Sequence, residues 1–278
     1  MLKQSVMLRN ICRFRSGPAL RARRFGGISA VQLPTQSHLQ LARSLWLSHI
    51  KRGDVTIDAT CGRGSDTQTL LHAARRCGGG TVYAMDVDAR AVQLCSERIR
   101  SDEDANEEAV CTFHHQSHAF PPPGLKARSV RIVAYNLGYL PRSEGGTTTS
   151  ARITIESLSA WTLDALLDGG LATICISPSH AAGRIESIFL SLFARQLSSV
   201  YWRCVQHRPL NHAETAPYLL SLHKLGVDDS GAGSDTKRRS DIDTRWDSDA
   251  LQRRLLCAAD VRAAADHAIA ELDKLSIE

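Results

Sequence analysis

The sequence predicts a three-layer α/β sandwich built on a seven-stranded, mostly parallel sheet. Three observations predict it. Short apolar runs recur seven times, stretches of helical length and amphipathic pattern separate most of them, and the early runs are apolar on both faces. The expected strands fall at 55–59, 81–86, 109–114, 130–136, 171–177, 200–206 and 216–224. The expected helices fall at 37–50, 65–76, 89–100, 154–167 and 183–197.

Taken in order, "SHLQLARSLWLSHI" turns Leu41 and Leu45 inward together with Trp46, as a helix laid on the sheet would. "VTIDA" and "TVYAMD" are short and apolar, with an acid, Asp58 or Asp86, at or next to the end of each. After Leu225 the composition shifts to Gly, Ser, Asp and Lys/Arg, so a flexible linker is expected at 226–245. A C-terminal helix follows in 246–278, capped near Asp247 to Asp249. The main domain is expected over 36–225.

Charge is distributed unevenly. The first acid is Asp54, and ten Lys or Arg precede it. The opening stretch is Arg-rich, acid-free and patchily apolar, so residues 1–30 are expected to be an organellar transit peptide, for the mitochondrial matrix or alternatively a plastid. Setting aside the seven basic residues before position 30 lowers the formal net charge from +5 to −2. A global attraction for nucleic acid is thereby excluded, and any RNA grip has to be local. No apolar run approaches the roughly 18–20 residues of a membrane span, so no membrane partner is expected. The eight cysteines form no C-x-x-C pair and no zinc-ligand spacing, and the cluster His114, His115 and His118 is not read as a metal site.

The chemistry concentrates in two stretches. "DATCGRGSDT" follows the first strand: Asp58, then Gly62 and Gly64, then a helix. Glycines let the backbone approach a ligand closely, which suits a nucleotide-like cofactor. Asp86 closes the second strand 22 residues after Gly64, where a ribose-binding acid is expected. A dinucleotide fingerprint would also want a small residue at position 67, which is Thr67. A methyl donor with a sulfonium and an ammonium group suits acids such as Asp58 better, so it is favoured over NAD. The second stretch, "NLGYLP" at 136–141, ends the fourth strand on the edge where open α/β sheets bind ligands. The Asn136 side-chain oxygen and the Leu137 carbonyl suit an amine, and Tyr139 suits a flat base. A plain turn punctuated by Gly138 and Pro141 is the simpler alternative.

These stretches, with "MDVD", "HQSH", "TTSARITIESL", "SPSHAAG" and "NHAETAPYLLSLHK" in one order, resemble the rRNA methylase family over roughly residues 36–225. The resemblance implies a Rossmann-like class I methyltransferase using S-adenosyl-L-methionine. Bacterial members methylate 5-aminomethyl-2-thiouridine at the tRNA wobble position, so the implied partner is a tRNA anticodon stem-loop. It assigns Asp58, Thr60, Gly62, Gly64, Asp66, Thr67, Asp86, Asp88, Gln116, Ser117, His118 and Asn136 to the donor. It assigns Leu137, Gly138, Tyr139, Pro141, Thr148 and Thr149 to the substrate, and Asn136, Tyr139 and His180 to catalysis. Arg142 and Arg152 are candidates for phosphate contact, and His118 or His180 for accepting the amine proton. No metal is implied, and a homodimer is left open.

The chain departs from the family on the substrate side. A second Thr-Thr pair is Ile153-Thr154 here, and a Tyr-Pro-Gly-His run is Ser177-Pro178-Ser179-His180. Methyl transfer is therefore expected more firmly than the identity of the acceptor. Ribosomal RNA or a small amine stays open as acceptor, as does a non-catalytic S-adenosylmethionine-binding scaffold.

Overall fold

In the computed structural model of the protein, the described residues are 37–101, 109–138, 149–226 and 248–275. The expected transit peptide, almost all of the expected linker, and Tyr139, Pro141, Arg142, Thr148 and Asp247 lie outside them. The chain runs α1 (His38–His49), β1 (Asp54–Asp58), α2 (Ser65–Arg76), β2 (Gly80–Asp86), α3 (Ala89–Arg100), β3 (Ala109–His115) and β4 (Val130–Asn136). It continues with α4 (Ala151–Ser157), a π-helical segment (Leu158–Thr162), α5 (Leu163–Ala165), β5 (Leu166–Ile176), α6 (Ala181–Gln196), β6 (Trp202–His207), β7 (Tyr218–Lys224) and α7 (Ser248–Leu275).

The seven strands form one sheet in the order β3-β2-β1-β4-β5-β7-β6. Strands β1 to β5 pair in parallel, and β7 is antiparallel to both β5 and β6. Successive side chains of a strand face opposite ways. Accordingly Ile132 and Ala134 join the core beneath α1, α2 and α3, while Val133 and Tyr135 join the core beneath α4, α6 and α7. The expected three-layer sandwich is what the chain forms.

Local chemistry explains the elements that frame the site. A capping box starts α1: Ser37 Oγ accepts the Gln40 N–H, and the Gln40 side chain accepts the Ser37 N–H. The helix is fastened to the sheet where the buried Trp46 indole donates to Thr173 Oγ at 2.9 Å. Strand β5 begins at Leu166, earlier than the expected 171, because Gly169 takes a left-handed φ of +72° and lets the chain bend within the strand. The expected helix 154–167 starts at Ala151 and passes through the π turn. That turn serves a purpose: the Tyr135 hydroxyl meets Thr162 and Ser157 at 2.6 and 2.8 Å, while Ser157 Oγ and the Trp161 indole both donate to the His118 carbonyl. The loop carrying His118 is thereby pinned to the sheet.

Helix α7 packs on the body through Val261, Ala264, Ala265 and Ala268, a stripe at helical spacing. Arg152 of α4, a candidate phosphate contact, is ion-paired with Asp273 of α7 and with Glu156. Among the described residues no helix is long and apolar enough to cross a membrane.

Candidate donor and acceptor site

The site forms at the carboxyl ends of β1, β2 and β4, beside the point where the strand order reverses. The turn after β1 is held on both sides. Ala59 donates to the Ala134 carbonyl and Cys61 to the Met85 carbonyl, each at 2.8 Å. Gly62 and Gly64 take φ values of +51° and +81°. A Cβ on Gly64 would meet Cys95 Sγ at 3.0 Å and Cys95 Cα at 3.1 Å, so this position needs glycine for packing as well as conformation. Helix α2 starts at Ser65 with no side-chain cap, leaving its positive end toward the turn.

Asp86 braces the turn from β2. Its carboxylate accepts the Gly62 N–H at 2.9 Å and the Asp88 N–H at 3.0 Å. Asp58 is 1% exposed and faces inward: its oxygens take the Thr67 hydroxyl at 2.6 Å and the Thr60 N–H at 3.3 Å. Burial, then the nearby Asp66 charge, pushes the Asp58 pKa well above the carboxylate range. Below the turn, the buried Cys95 thiol donates to Thr67 Oγ at 3.5 Å.

From β4, the Asn136 N–H donates to Thr60 Oγ at 2.8 Å, and its side-chain nitrogen donates to Asp66 at 3.1 Å. A carboxylate only accepts, so the amide nitrogen has to face Asp66, and Asn136 Oδ1 is left as an acceptor on a residue that lines the cavity. Asp66 is fixed in turn by Arg43 of α1, whose guanidinium donates to it at 2.7 and 3.0 Å. The acceptor loop closes on itself: the Gly138 N–H donates to Thr149 Oγ at 3.0 Å, and the Thr149 N–H to the Gly138 carbonyl at 3.1 Å.

These groups enclose a cavity of about 370 Å³, within the roughly 300–1,000 Å³ usual for small-ligand sites. Of the residues expected from sequence, Thr60, Gly62, Asp66, Asp86, Asp88, Ser117, His118, Asn136, Leu137, Gly138 and Thr149 line it. Asp58 and Thr67 sit behind the turn and shape it, and Gly64 caps α2. Gln116 donates to the Phe120 and Pro121 carbonyls rather than facing the cavity. His180 is not brought there either: its Nδ1 accepts the Gly183 N–H at 3.0 Å and caps α6. His118 stands edge-on to Tyr135 with Nε2 unpartnered, and burial pulls its pKa down to about 4. Sequence reasoning missed Arg43, because a helix pattern reports the face toward the sheet and not a charged reach toward a neighbouring turn.

A larger cavity, about 500 Å³, lies under α7 near Trp202 and Lys224. Its central cations are already engaged within the protein: Lys224 donates to the Leu163 and Leu166 carbonyls, and Arg128 pairs with Asp168. Most of the residues expected from sequence gather in the smaller cavity. No cluster of three or more His, Cys, Asp or Glu able to hold a metal occurs among the described residues.

Residues 82–223 match the family described as "Putative rRNA methylase". The chain belongs to this family. It is a methyltransferase with the Rossmann-like fold of class I S-adenosylmethionine-dependent enzymes. Over 193 residues it is 33% identical to the chloroplastic tRNA (mnm(5)s(2)U34)-methyltransferase of Arabidopsis thaliana, covering 66% of this chain and 68% of that one. It is similar in structure to a putative rRNA-methylase from Clostridium thermocellum, with a TM-score of 0.62 and 24% identity over 69% of this chain and all of that one. A putative methyltransferase from Streptococcus mutans in complex with SAH gives 0.59 and 24% over 69% of this chain and 99% of that one.

The cavity fits such a donor. The close backbone approach at Gly62, the uncapped α2 terminus and the acid at Asp86 suit a carboxylate at one end and ribose hydroxyls at the other.

Proposed function

We propose that the family member described here is an N-methyltransferase that takes its methyl group from S-adenosylmethionine. Its acceptor is the 5-aminomethyl group of wobble (2-thio)uridine in an organellar tRNA. The observation that carries this reading is the arrangement of Asn136: its amide nitrogen is held by Asp66, and its oxygen is left to accept from an amine at the carboxyl end of β4. The likeness to a chloroplastic wobble-uridine enzyme supports both the acceptor and an organellar location, in a plastid or in the mitochondrial matrix.

In this reading Gly62, Asp86, Asp88, Ser117 and His118 hold the donor, which supplies an electrophilic methyl group. Asn136 Oδ1 and the Leu137 carbonyl orient the acceptor amine, and Tyr139 stacks on its base. In-line transfer demands alignment above all, and positioning alone supplies several kcal/mol. The amine has to arrive neutral. At a Lys-like pKa near 10.4, being neutral at pH 7.4 costs about 4 kcal/mol, less on a uracil and in a desolvated cavity. An intact amine-orienting arrangement argues against a pure scaffold.

Asp86→Ala is expected to weaken donor binding at least about 10-fold, because two backbone N–H groups lose a charged acceptor and the turn loosens. Calorimetric titration with S-adenosylmethionine checks this, and an unchanged affinity would remove Asp86 from the donor site. The acceptor is tested by nucleoside mass spectrometry of organellar tRNA with and without the protein. Loss of the methylated wobble nucleoside with accumulation of its aminomethyl precursor is expected. Unchanged wobble nucleosides would redirect the search to ribosomal RNA and small amines.

A further inference from the structure

The acceptor ammonium has to shed a proton, and neither expected histidine is well placed to take it. His180 Nδ1 is committed to capping α6, and His118 titrates near 4. A third group fits better. Glu186, on the second turn of α6, is 1% exposed, and neither carboxyl oxygen has a hydrogen-bond partner. Such a buried, unpartnered acid is destabilising and calls for a reason.

Its surroundings supply one. The polar side chain that acts on Glu186 is the Thr149 hydroxyl, which is close by but in the resting state donates to the Gly138 carbonyl at 3.4 Å and closes no hydrogen bond with the carboxyl; no charged group of the packed elements α4, α7 or β5 acts on Glu186. The charged residues of α4 are paired with each other and with Asp273, Asp260 of α7 accepts the Ser198 N–H, and Asp168 of β5 pairs with Arg128. Thr149 lies in the cavity wall and closes the acceptor loop on Gly138. Glu186 therefore stands behind the acceptor side of the cavity, one hydroxyl away from it. Burial raises its pKa to about 7, where it can change charge at working pH.

We propose that Glu186 is the proton depot of the acceptor side, taking through the Thr149 hydroxyl the proton that the substrate ammonium releases before methyl transfer. The inference rests on the N-methyltransferase reading above. In the transfer an ammonium N–H bond breaks and its electron pair stays on nitrogen. The Thr149 hydroxyl turns from the Gly138 carbonyl to Glu186, and its oxygen gains that proton as its own O–H proton passes to the Glu186 carboxylate. A cation and an anion become a neutral amine and a neutral carboxylic acid, with no other reactant needed. Glu186 does not touch the substrate; it is a positioning and proton-holding residue that acts through Thr149.

The test uses the full chain and an anticodon stem-loop carrying 5-aminomethyl-2-thiouridine. Single-turnover methylation is followed from pH 6 to 9 for wild type, Glu186→Gln, Glu186→Asp and Thr149→Val. The wild-type rate should show an inflection near 7. Glu186→Gln should lose that inflection and at least about 30-fold in rate at pH 7, with donor affinity unchanged. Glu186→Asp should recover part of the rate. A Glu186→Gln enzyme that keeps the wild-type rate and pH profile overturns the proposal.

A second readout is independent of turnover. The Glu186 carboxyl resonance, followed by ¹³C NMR, is titrated in the presence of 5-aminomethyluridine nucleoside. Its midpoint should fall in wild type and stay fixed in Thr149→Val. If wild type leaves the RNA unmethylated but the resonance answers to the amine, the tRNA reading fails and the depot stands for another amine. If the resonance ignores the amine, the depot is overturned whatever the RNA result. Should Glu186→Gln misfold, the comparison of wild type with Thr149→Val decides.

Discussion

Asn136→Ala is expected to lower turnover by about 100-fold while leaving donor affinity within about twofold. The reasoning runs through three side chains. Arg43 holds Asp66, Asp66 holds the Asn136 amide nitrogen, and the Asn136 oxygen is left to accept. A misplacement of about 1 Å between nucleophile and methyl group is enough to cost 100-fold. Truncation removes the aim and leaves the donor turn standing, since Gly62 and Asp86 are untouched. Single-turnover kinetics beside calorimetric titration separate the two effects. If donor affinity falls by the same factor as turnover, Asn136 is a donor ligand and not an amine guide. Arg43→Met should produce a weaker version of the same defect, because Asp66 loses its anchor and not its charge.

Gly183→Ala is expected to destabilise the fold by about 3 kcal/mol, the upper part of the range for overpacking. A Cβ there would lie 1.9 Å from the Ser177 carbonyl oxygen and 2.9 Å from its carbon. Backbone cannot yield as a flexible side-chain end does, so the first turn of α6 or the end of β5 has to move. For a chain of this size that corresponds to a fall in melting temperature of about 6–12 °C. A variant that melts with wild type would mean that the turn relaxes freely. His180→Ala is the informative partner. Losing a cap costs about 1 kcal/mol, and turnover should stay within about twofold. A drop comparable to that of Asn136→Ala would restore His180 to the chemistry.

Two buried groups tilt stability with pH in opposite directions. Glu186 titrates higher in the folded chain, about 7 against 4.5, so the folded state binds more protons across that window. Its contribution falls as pH rises through it. His118 titrates lower, about 4 against 6.5, so its contribution is complete above 6.5 and is lost as pH falls through the window. Asp58, pushed up by burial, adds to the first sign. Subtracting the Glu186→Gln melting profile from the wild-type one should leave a curve that declines between about 4.5 and 7. A flat difference would mean that Glu186 is not held out of water.

The turn of the candidate donor site was legible because it is built from backbone. Gly62 and Gly64 announce a turn that other residues would clash in, and Asp86 at a strand end has a narrow choice of partners. What a side chain does once it arrives was less legible. The position of Asp58 at the end of β1 is visible in the sequence, but nothing there tells that its carboxylate turns inward to Thr67 while Asp66 faces the cavity. His180 reads as a reactive loop histidine, yet the glycine three residues on makes it a cap. The early start of β5 was hidden because a Gly-Gly pair after a helical pattern reads as a terminator. The seat of α7 was hidden for a related reason: among the described residues, three of the four that it buries fully are alanines, which carry little hydrophobic signal. Glu186 gave no signal, since burial of an acid follows from the packing of α6 and not from its neighbours in sequence.

The position of β7 between β5 and β6 also governs how the protein is made. During translation β6 leaves the ribosome first but has no strand to join until β7 follows and fills the gap. In the finished sheet the two form an antiparallel hairpin whose β7 strand is the one joined to β5. Until they do, β5 offers a long bare edge able to pair with a neighbouring nascent chain. The ten residues linking β6 and β7 therefore have to be made before that edge can be covered.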